Sequence, residues 1–153
     1  MGAKLDETDR KILNVLQRDA TLSVDEISEQ VTLSRNACWR RMRQMEVKGV
    51  LKARVALADP VAVGCPLQVM VLIKSSTHDP DWLTQFHRVI DRLPEVVGAY
   101  RMSGDLDYLL RVRVADVAGY DAFYKKLIHQ MPMSDISASF VMEELKETTA
   151  LPV

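Results

Sequence analysis

The stretch SVDEISEQVTLSRNACWRRMRQMEVKG, residues 23–49, decides how the N-terminal part of this chain folds. Ser23, with a glutamate three positions later, is typical of a capping box that begins a helix. Ser34 is a favourable N-cap for the next helix, and Gly49 is well placed to end it. Only the dipeptide 32–33 separates the two helices. Two helices joined by so short a connector predict a helix-turn-helix.

A further helix is predicted just before this stretch, in LDETDRKILNVLQ, residues 5–17. Asp6 is a good N-cap, and the acids of the first turn interact favourably with the helix dipole. Apolar residues from Ile12 to Leu16 recur at helical spacing and give the helix an apolar side. We therefore predict a three-helix, helix-turn-helix DNA-binding domain over residues 1–50.

The positive charge of the chain is concentrated around the third predicted helix. Residues 32–54 hold seven Lys or Arg and one acid, a local net charge of +6, although the whole chain of 153 residues carries a formal net charge of −1. Residues 1–59 sum to +2 (eleven bases, nine acids), and residues 60–153 sum to −3 (nine bases, twelve acids). A basic module joined to an acidic body favours a negatively charged partner.

The third helix is predicted to pack by one face and to present cations on the other. At 100° per residue, Cys38, Met42 and Met45 form one apolar stripe, which Arg41 flanks. Arginine donates paired hydrogen bonds to phosphates and guanine edges, and such a helix fits the major groove of DNA. A solvated face is the alternative, but solvated faces usually mix charges of both signs. The predicted DNA-binding residues are Ser34, Arg35, Asn36, Trp39, Arg40, Arg41 and Arg43.

A linker and a second domain are predicted to follow. Val50, Val55 and Leu57 suggest a strand, which makes the first domain winged-helix-like, and residues 51–65 are assigned to a strand and hinge linker. Residues 66–153 show the order β-α-β-β-α-β, a ferredoxin-like arrangement, so the chain is predicted to be an α+β protein. The predicted strands are 67–74, 96–102, 108–114 and 135–142, and the predicted helices are 79–93 and 117–131.

The strand patterns also predict an assembly. Strand 108–114 alternates, so that Tyr108 and every second residue after it face one way, and strand 67–74 is apolar on both faces. Phe140 and Met142 are predicted to share one face of the last strand. Two helices cover one face of a four-stranded sheet, and a second copy of the chain is the economical cover for the other. Such a dimer also presents two helix-turn-helix units to successive DNA half-sites.

Other classes of protein are disfavoured. The chain lacks GxGxxG, P-loop, GxSxG and HExxH motifs, and His78, His87 and His129 lack metal-ligand spacing, so neither an enzyme nor a cofactor or metal site is predicted. The apolar runs are too short to span a bilayer, and the N-terminus carries no visible secretory signal. Cys38 and Cys65 suggest no disulfide framework. A cytoplasmic location is the resulting prediction.

The chain resembles the Lrp/AsnC family, the feast/famine transcription regulators of bacteria and archaea. The resemblance covers about residues 5–153 and implies a dimer built through the C-terminal sheets, often assembled further into octamers that bend or wrap DNA. It also implies a free amino acid as effector, bound between C-terminal domains. The segments that carry it are LDETDRKIL (5–13), DEISEQVTLSRNACWRRMRQMEVKGV (25–50), LPEVVGAYRMSGDLDYLLRV (93–112) and TTALPV (148–153).

The resemblance places the effector at the turn after the second strand. Gly104 lets an amino-acid zwitterion approach backbone amides, and Asp105 or Asp107 can pair with its ammonium group. Ordinary hairpin chemistry, with Asp107 capping the turn, is the alternative. The predicted effector-binding residues are Met102, Ser103, Gly104, Asp105, Asp107 and Ser137.

One departure from the family concerns Thr32, where many members carry Gly or Asn. Threonine does not adopt a positive φ cheaply, so the connector is expected to differ in conformation.

Two functions compete with DNA-binding regulation. An amino-acid-binding sensor module without direct DNA binding is the main alternative, but such a module has no use for a +6 segment. RNA binding through the sheet is disfavoured because the sheet lacks an exposed aromatic platform. We therefore predict a sequence-specific DNA-binding transcriptional regulator whose DNA binding or assembly responds to an amino acid.

Overall fold

A computed structural model describes residues 4–77 and 79–153, and His78 lies outside the described residues. The chain divides into two compact units, one comprising the N-terminal residues up to Ala56 together with Lys146–Val153, and one comprising Leu57–Leu145. The first unit contains α1 (Glu7–Leu16), α2 (Val24–Gln30) and α3 (Arg35–Val47). The second contains β1 (Leu67–Ser75), α4 (Pro80–Ile90), β2 (Val96–Arg101), β3 (Tyr108–Val114), α5 (Val117–Gln130) and β4 (Met133–Phe140). The predicted α+β class is confirmed, whereas the domain limits 1–50, 51–65 and 66–153 stay a prediction.

The helices of the first unit begin where their caps predict. The side chain of Asp6 accepts a hydrogen bond from the Asp9 N–H at 2.8 Å, and the Asp9 carboxylate accepts one from the Asp6 N–H at 3.3 Å. Ser23 and Glu26 form the same reciprocal pair at the start of α2. Each capping box satisfies two amide groups that lack a partner inside the helix, which fixes the first turn.

Both α2 and α3 end in a Schellman motif. Beyond α2, the Leu33 N–H donates to the Ser28 carbonyl at 2.9 Å, and the residue between the cap and Leu33 is Thr32, with φ 55°. Beyond α3, Gly49 occupies the equivalent position with φ 68°. The expectation that Thr32 avoids a positive φ is therefore wrong. The two hydrogen bonds of the motif and the packing of both helices offset the strain, which is on the order of 1–3 kcal/mol.

The apolar stripe predicted for α3 is buried in the core of the first unit. Cys38 is fully buried, and Met42 and Met45 are nearly so. They pack with Ile12 and Ile27, which are also fully buried. Burial raises the pKa of the Cys38 thiol and keeps it protonated, because a thiolate is poorly solvated in apolar surroundings. Replacing a core methionine by alanine typically costs about 2–5 kcal/mol of stability, so this stripe fixes how α3 sits.

The second unit is a four-stranded antiparallel sheet in the order β2-β3-β1-β4. This is the predicted ferredoxin-like arrangement. Val71 of β1 and Leu110 of β3 are fully buried, and they share one core with Phe86 of α4 and Phe123 of α5. Both helices therefore lie on one face of the sheet. The opposite face, which carries Leu72, is only partly covered by the chain.

Two predictions about strands are wrong. Residues 51–59 form no strand, and Val55 and Leu57 are exposed. A strand needs a neighbour for its backbone hydrogen bonds, and the described sheet of this chain supplies none to this segment. The last strand ends at Phe140, and Met142 lies beyond it with its side chain 95% exposed. The Val141 N–H donates to the Gln68 carbonyl, after which the chain leaves the sheet edge.

Candidate nucleic-acid interface and ligand site

The outward side of α3 carries most of the predicted DNA-binding residues. Six of the seven are exposed, and the Trp39 side chain is 58% exposed. Ser34 caps the helix, because its hydroxyl accepts a hydrogen bond from the Ala37 N–H at 3.3 Å. The first turn of a helix presents unpaired N–H groups, which suits a phosphate. The six exposed residues are Ser34, Arg35, Asn36, Trp39, Arg40 and Arg43.

Two cations of this face, Arg35 and Arg43, form ion pairs at the surface. Arg35 Nε lies 3.0 Å from Asp25 Oδ1, and Arg43 Nη1 lies 3.0 Å from Glu46 Oε2. Within the described part of the chain, no carboxylate pairs with Arg40. Exposed ion pairs contribute at most about 1 kcal/mol, so a phosphate can displace the acids at little cost.

A cleft lies beside the start of α3. It has a volume of about 220 Å³ and is lined by Val24 of α2 and by Arg35, Asn36 and Trp39. The cleft places an apolar surface, an amide and a guanidinium within one small concavity. A sugar or base edge presents the complementary mixture of apolar and polar groups.

Arg41 differs from the other arginines because it faces α1. Its Nη1 lies 2.7 Å from Asp6 Oδ2 and 2.8 Å from Asp9 Oδ1, and its side chain is 28% exposed, against 69% for Arg35. The same two acids form the capping box of α1. Arg41 therefore ties the start of α1 to the middle of α3, and its predicted contact with DNA stays a prediction. The sequence pattern missed this pairing because the partners are more than thirty positions apart.

The ion pairs of Arg41 with Asp6 and Asp9 should make the stability of the first unit depend on pH. A hydrogen bond from the Asp9 N–H, followed by one from Arg41, holds the pKa of Asp6 below its ordinary value of 3.8. A carboxylate with a lowered folded-state pKa stabilises the fold at neutral pH, and this contribution is lost as the pH falls through that lowered pKa.

Replacing Arg41 with alanine is expected to lower the melting temperature of the first unit at pH 7. The melting temperature of this variant should also fall less than that of the wild type when the pH is lowered. Differential scanning calorimetry between pH 7 and pH 3 measures both effects. Arg35→Ala, which breaks an exposed pair, serves as the control and should leave the melting temperature unchanged. If Arg41→Ala instead keeps wild-type stability while the salt dependence of DNA binding flattens by about one, Arg41 holds a phosphate.

The predicted effector turn joins β2 to β3 and is closed by backbone hydrogen bonds. The Met102 N–H donates to the Asp107 carbonyl at 2.8 Å, and Gly104 has φ 112°, a conformation that favours glycine. The predicted residues 102–105 are all exposed. The turn thus presents an accessible carboxylate, Asp105, beside the exposed backbone of Gly104.

Asp107 is committed to holding the sheet together. Its Oδ2 accepts hydrogen bonds from the Ser75 N–H at 2.8 Å and from the Ser75 hydroxyl at 3.1 Å, and its own N–H donates to the Ile73 carbonyl at 3.0 Å. Ser75 was missed by the sequence analysis, because no local pattern links it to a turn thirty residues away. Asp107 therefore has a structural role at the end of β1, as the turn-capping alternative expects.

Ser137 does not join the turn within one chain. It lies on β4 opposite Leu72, which in turn lies opposite Leu109 at the start of β3. Two strand spacings, roughly 10 Å, separate Ser137 from that end of β3. The predicted set is therefore assembled as one cluster at 102–107, with Ser137 apart from it on the sheet.

Two further observations bound the chemistry of the described residues. None of the described helices is long and apolar enough to cross a membrane. Nor does the described part of the chain contain a cluster of three or more His, Cys, Asp or Glu side chains placed to hold a metal ion.

Known protein families match the two parts of this architecture. The family model of the AsnC-type helix-turn-helix domain matches residues 5–46, and that of the Lrp/AsnC ligand binding domain matches residues 68–151. Together the two matches cover α1 to α3 and the sheet with its helices, except for one residue at the end of α3 and one at the start of β1. The predicted resemblance is confirmed.

Individual proteins are similar over nearly the whole chain. A glutamate uptake regulatory protein from Zymomonas mobilis is 49% identical over 153 residues, covering 100% of this chain and 93% of the relative. The crystal structure of an AsnC family transcriptional regulator from Agrobacterium tumefaciens is 51% identical, with a TM-score of 0.94 and 97% of each chain covered. A transcriptional regulator from Neisseria meningitidis, solved as a complex with L-Met, is 35% identical, with a TM-score of 0.93 and the same coverage.

The Agrobacterium and Neisseria relatives are transcriptional regulators and the Zymomonas relative is a regulatory protein, which confirms the prediction that the chain is not an enzyme. Their likeness extends through both units, so it covers the cationic helix and the ligand-binding sheet alike. The chain therefore belongs to the Lrp/AsnC family and is a transcriptional regulator with a helix-turn-helix DNA-binding domain and a ligand-binding domain.

Proposed function

We propose that α3 reads the major groove of double-stranded DNA and that Arg40 and Arg43 make its strongest contacts. The observation that carries this proposal is the outward face of α3, which is cationic and exposed over its full length while the opposite stripe is buried. Arg40 is the cation whose charge no described acid neutralises. Titration of operator DNA with the wild type and with the double arginine variant considered in the Discussion tests the proposal.

Trp39 and Asn36 complete the proposed interface. Asparagine pairs with adenine edges, and an exposed indole packs against sugar or a thymine methyl group. Both side chains line the cleft beside the start of α3. Ser34 and Arg35 lie at the first turn, where phosphate contacts fix the register of the helix on DNA.

A homodimer is proposed to form through the uncovered face of the sheet. Met70, Leu72 and Leu109 lie on this face and are only half-buried in one chain. Tyr100 stands opposite Leu109 and is 49% exposed. A contiguous apolar surface of this kind is typical of a protein interface. A second copy buries it symmetrically and brings two copies of α3 to neighbouring half-sites.

Further assembly and location follow from the family. We propose that dimers associate into an octamer, as the resemblance implies, and that the protein acts in the cytoplasm, where bacterial DNA is found. The exposed apolar side chains on the helical side of the second unit, Val117 and Ile128, are available for contacts between dimers.

The effector is proposed to be a free L-amino acid bound at the turn 102–107. The ligand-binding family match and the L-Met complex of the Neisseria regulator support this class of ligand. Backbone N–H groups around Gly104 suit the carboxylate, the exposed Asp105 suits the ammonium group, and Met102 offers apolar surface. We assign the ammonium to Asp105 rather than to Asp107, which Ser75 already engages. Because the described residues of the turn include no buried cation to clamp the carboxylate, the expected Kd is on the order of micromolar to millimolar.

Asp105→Asn is expected to weaken binding of L-methionine by about tenfold or more, because it removes the charge that pairs with the ammonium group. A thermal-shift titration with L-methionine, and then with the other amino acids, measures the affinity. Asp91→Asn, at the exposed C-cap residue of α4, is the control and should leave the affinity unchanged. Asp107→Asn should instead lower the melting temperature of the ligand-free protein, because it weakens the bonds to Ser75. Unchanged affinity for L-methionine in Asp105→Asn and in Asp107→Asn would place the ligand site elsewhere.

A further inference from the structure

The segment at the end of the chain returns to the DNA-binding unit. The Leu151 N–H donates to Gln17 Oε1 at 2.7 Å, and Gln17 Nε2 donates to the Leu151 carbonyl at 3.1 Å. One side-chain amide thus pairs with both backbone groups of a residue 134 positions away. Gln17 is the C-cap residue of α1, so the contact lies at the end of that helix.

The contact recognises the backbone of the segment. The Leu151 side chain is 68% exposed, so it adds little apolar burial. An amide that satisfies an N–H and a carbonyl of the same residue imitates the pairing of a neighbouring strand. The neighbouring Pro152 further restricts the backbone of Leu151 to extended conformations, which preorganises it for such pairing.

The same stretch of chain is anchored upstream to the sheet. After β4, the Val141 N–H donates to the Gln68 carbonyl at 2.9 Å, and Glu144 forms an ion pair with Arg113 of β3. Arg113 also donates to the Pro66 carbonyl at 3.1 Å. The chain is therefore fixed to the second unit as far as Glu144, and to the first unit at Leu151.

We propose that residues 146–153 form a strap that docks on Gln17 and restrains the DNA-binding unit. The chain passes between the units twice, at Ala56–Leu57 and at Leu145–Lys146, so the docked strap adds a second connection, whose far end is held by hydrogen bonds. The strap follows β4 along the chain. The ligand-binding family match extends into it, to residue 151, although the strap packs with the first unit. A unit held by two connections has less orientational freedom than a unit held by one.

The strap is held weakly enough to be released. Its recorded contacts with Gln17 are two hydrogen bonds exposed to water, where each contributes only a modest net stabilisation. Contacts of this kind open and close locally without unfolding the rest of the protein. A change at β4 therefore has a physical route to the DNA-binding unit that bypasses the linker 51–65.

Gln17→Ala in the full chain tests the docking. Hydrogen exchange should show that the Leu151 N–H is protected in the wild type and exchanges at least about fivefold faster in the variant. Amides of β4 and of the middle of α1 should keep their wild-type rates, which shows that both units remain folded. Gln30→Ala, at an exposed glutamine on α2, is the matched control and should leave the Leu151 rate unchanged.

Nuclear spin relaxation of the amides of α1, α2 and α3 measures how far the strap restrains the motion of the DNA-binding unit. In Gln17→Ala these amides should move together with larger amplitude, while the amides of the sheet keep their wild-type values. Equal Leu151 exchange rates in the wild type and Gln17→Ala would overturn the docking. Faster Leu151 exchange with unchanged motion of the three helices would overturn the restraint.

Discussion

Replacing Arg40 and Arg43 together with alanine is expected to weaken operator binding by about a hundredfold or more. Each arginine that reads a base contributes about 1–3 kcal/mol, and contributions of separate contacts roughly add. Both side chains are exposed, so the folded state should lose no packing. Fluorescence anisotropy with labelled operator DNA measures the affinity, and circular dichroism checks the fold.

The salt dependence of the same titration separates two roles for these residues. A lost phosphate contact flattens the plot of log affinity against log salt by about one per residue, whereas a lost base contact relaxes sequence preference. The matched control is Arg88→Ala with Arg92→Ala, which removes two exposed cations from the second unit and changes the net charge equally. Wild-type affinity in the Arg40 and Arg43 double variant would contradict the assignment of α3 as the reading helix.

Leu72→Asp is expected to convert the proposed dimer into a monomer at micromolar concentration. The residue lies in the centre of the uncovered sheet face, between Leu109 on one side and Ser137 on the other. Two symmetry-related carboxylates would then be buried without partners, at a cost of several kcal/mol. Light scattering gives the mass. The affinity for a two-half-site operator should also fall by about a hundredfold or more, because the second half-site is no longer engaged by a tethered unit.

A control for this variant lies on the helical side of the second unit. Ala122→Asp introduces the same charge at an exposed position of α5, and it should leave the dimer intact. If Leu72→Asp remains dimeric by light scattering, the interface is misplaced. If it is monomeric but binds the two-half-site operator with wild-type affinity, dimerisation is not what couples the half-sites.

Local signals in the sequence predicted the helices well. Ser23, Ser34 and Gly49 are caps whose chemistry is contained within one turn of the chain, and each lies where its pattern places it. The alternation of β3 likewise predicted its buried face, because the period of a strand is read directly from neighbouring residues. Where the controlling interaction is local, the sequence is sufficient.

Interactions between distant residues could not be predicted in the same way. Arg41 is of a residue type that commonly contacts DNA, yet it donates hydrogen bonds to two carboxylates at the start of α1. Val55 and Leu57 have the pattern of a strand, yet no described strand of this chain lies beside them. Thr32 has an unfavourable intrinsic preference that the hydrogen bonds of its neighbours override. For Arg41, and for Val55 and Leu57, the deciding partner lies outside the local sequence window, whereas the hydrogen bonds around Thr32 span at most five positions and belong to the packing of α2 against α3.

The composition of the first unit has a consequence for biosynthesis. Its apolar core is built from residues between Ile12 and Met45, so the three helices can pack as soon as this part of the chain has left the ribosome. Its last segment begins at Lys146, ninety positions after Ala56, and at ordinary translation rates it follows on the order of ten seconds later. During this interval the ferredoxin-like unit is still being made. The nascent protein therefore carries a packed helix-turn-helix before the segment that completes its unit exists.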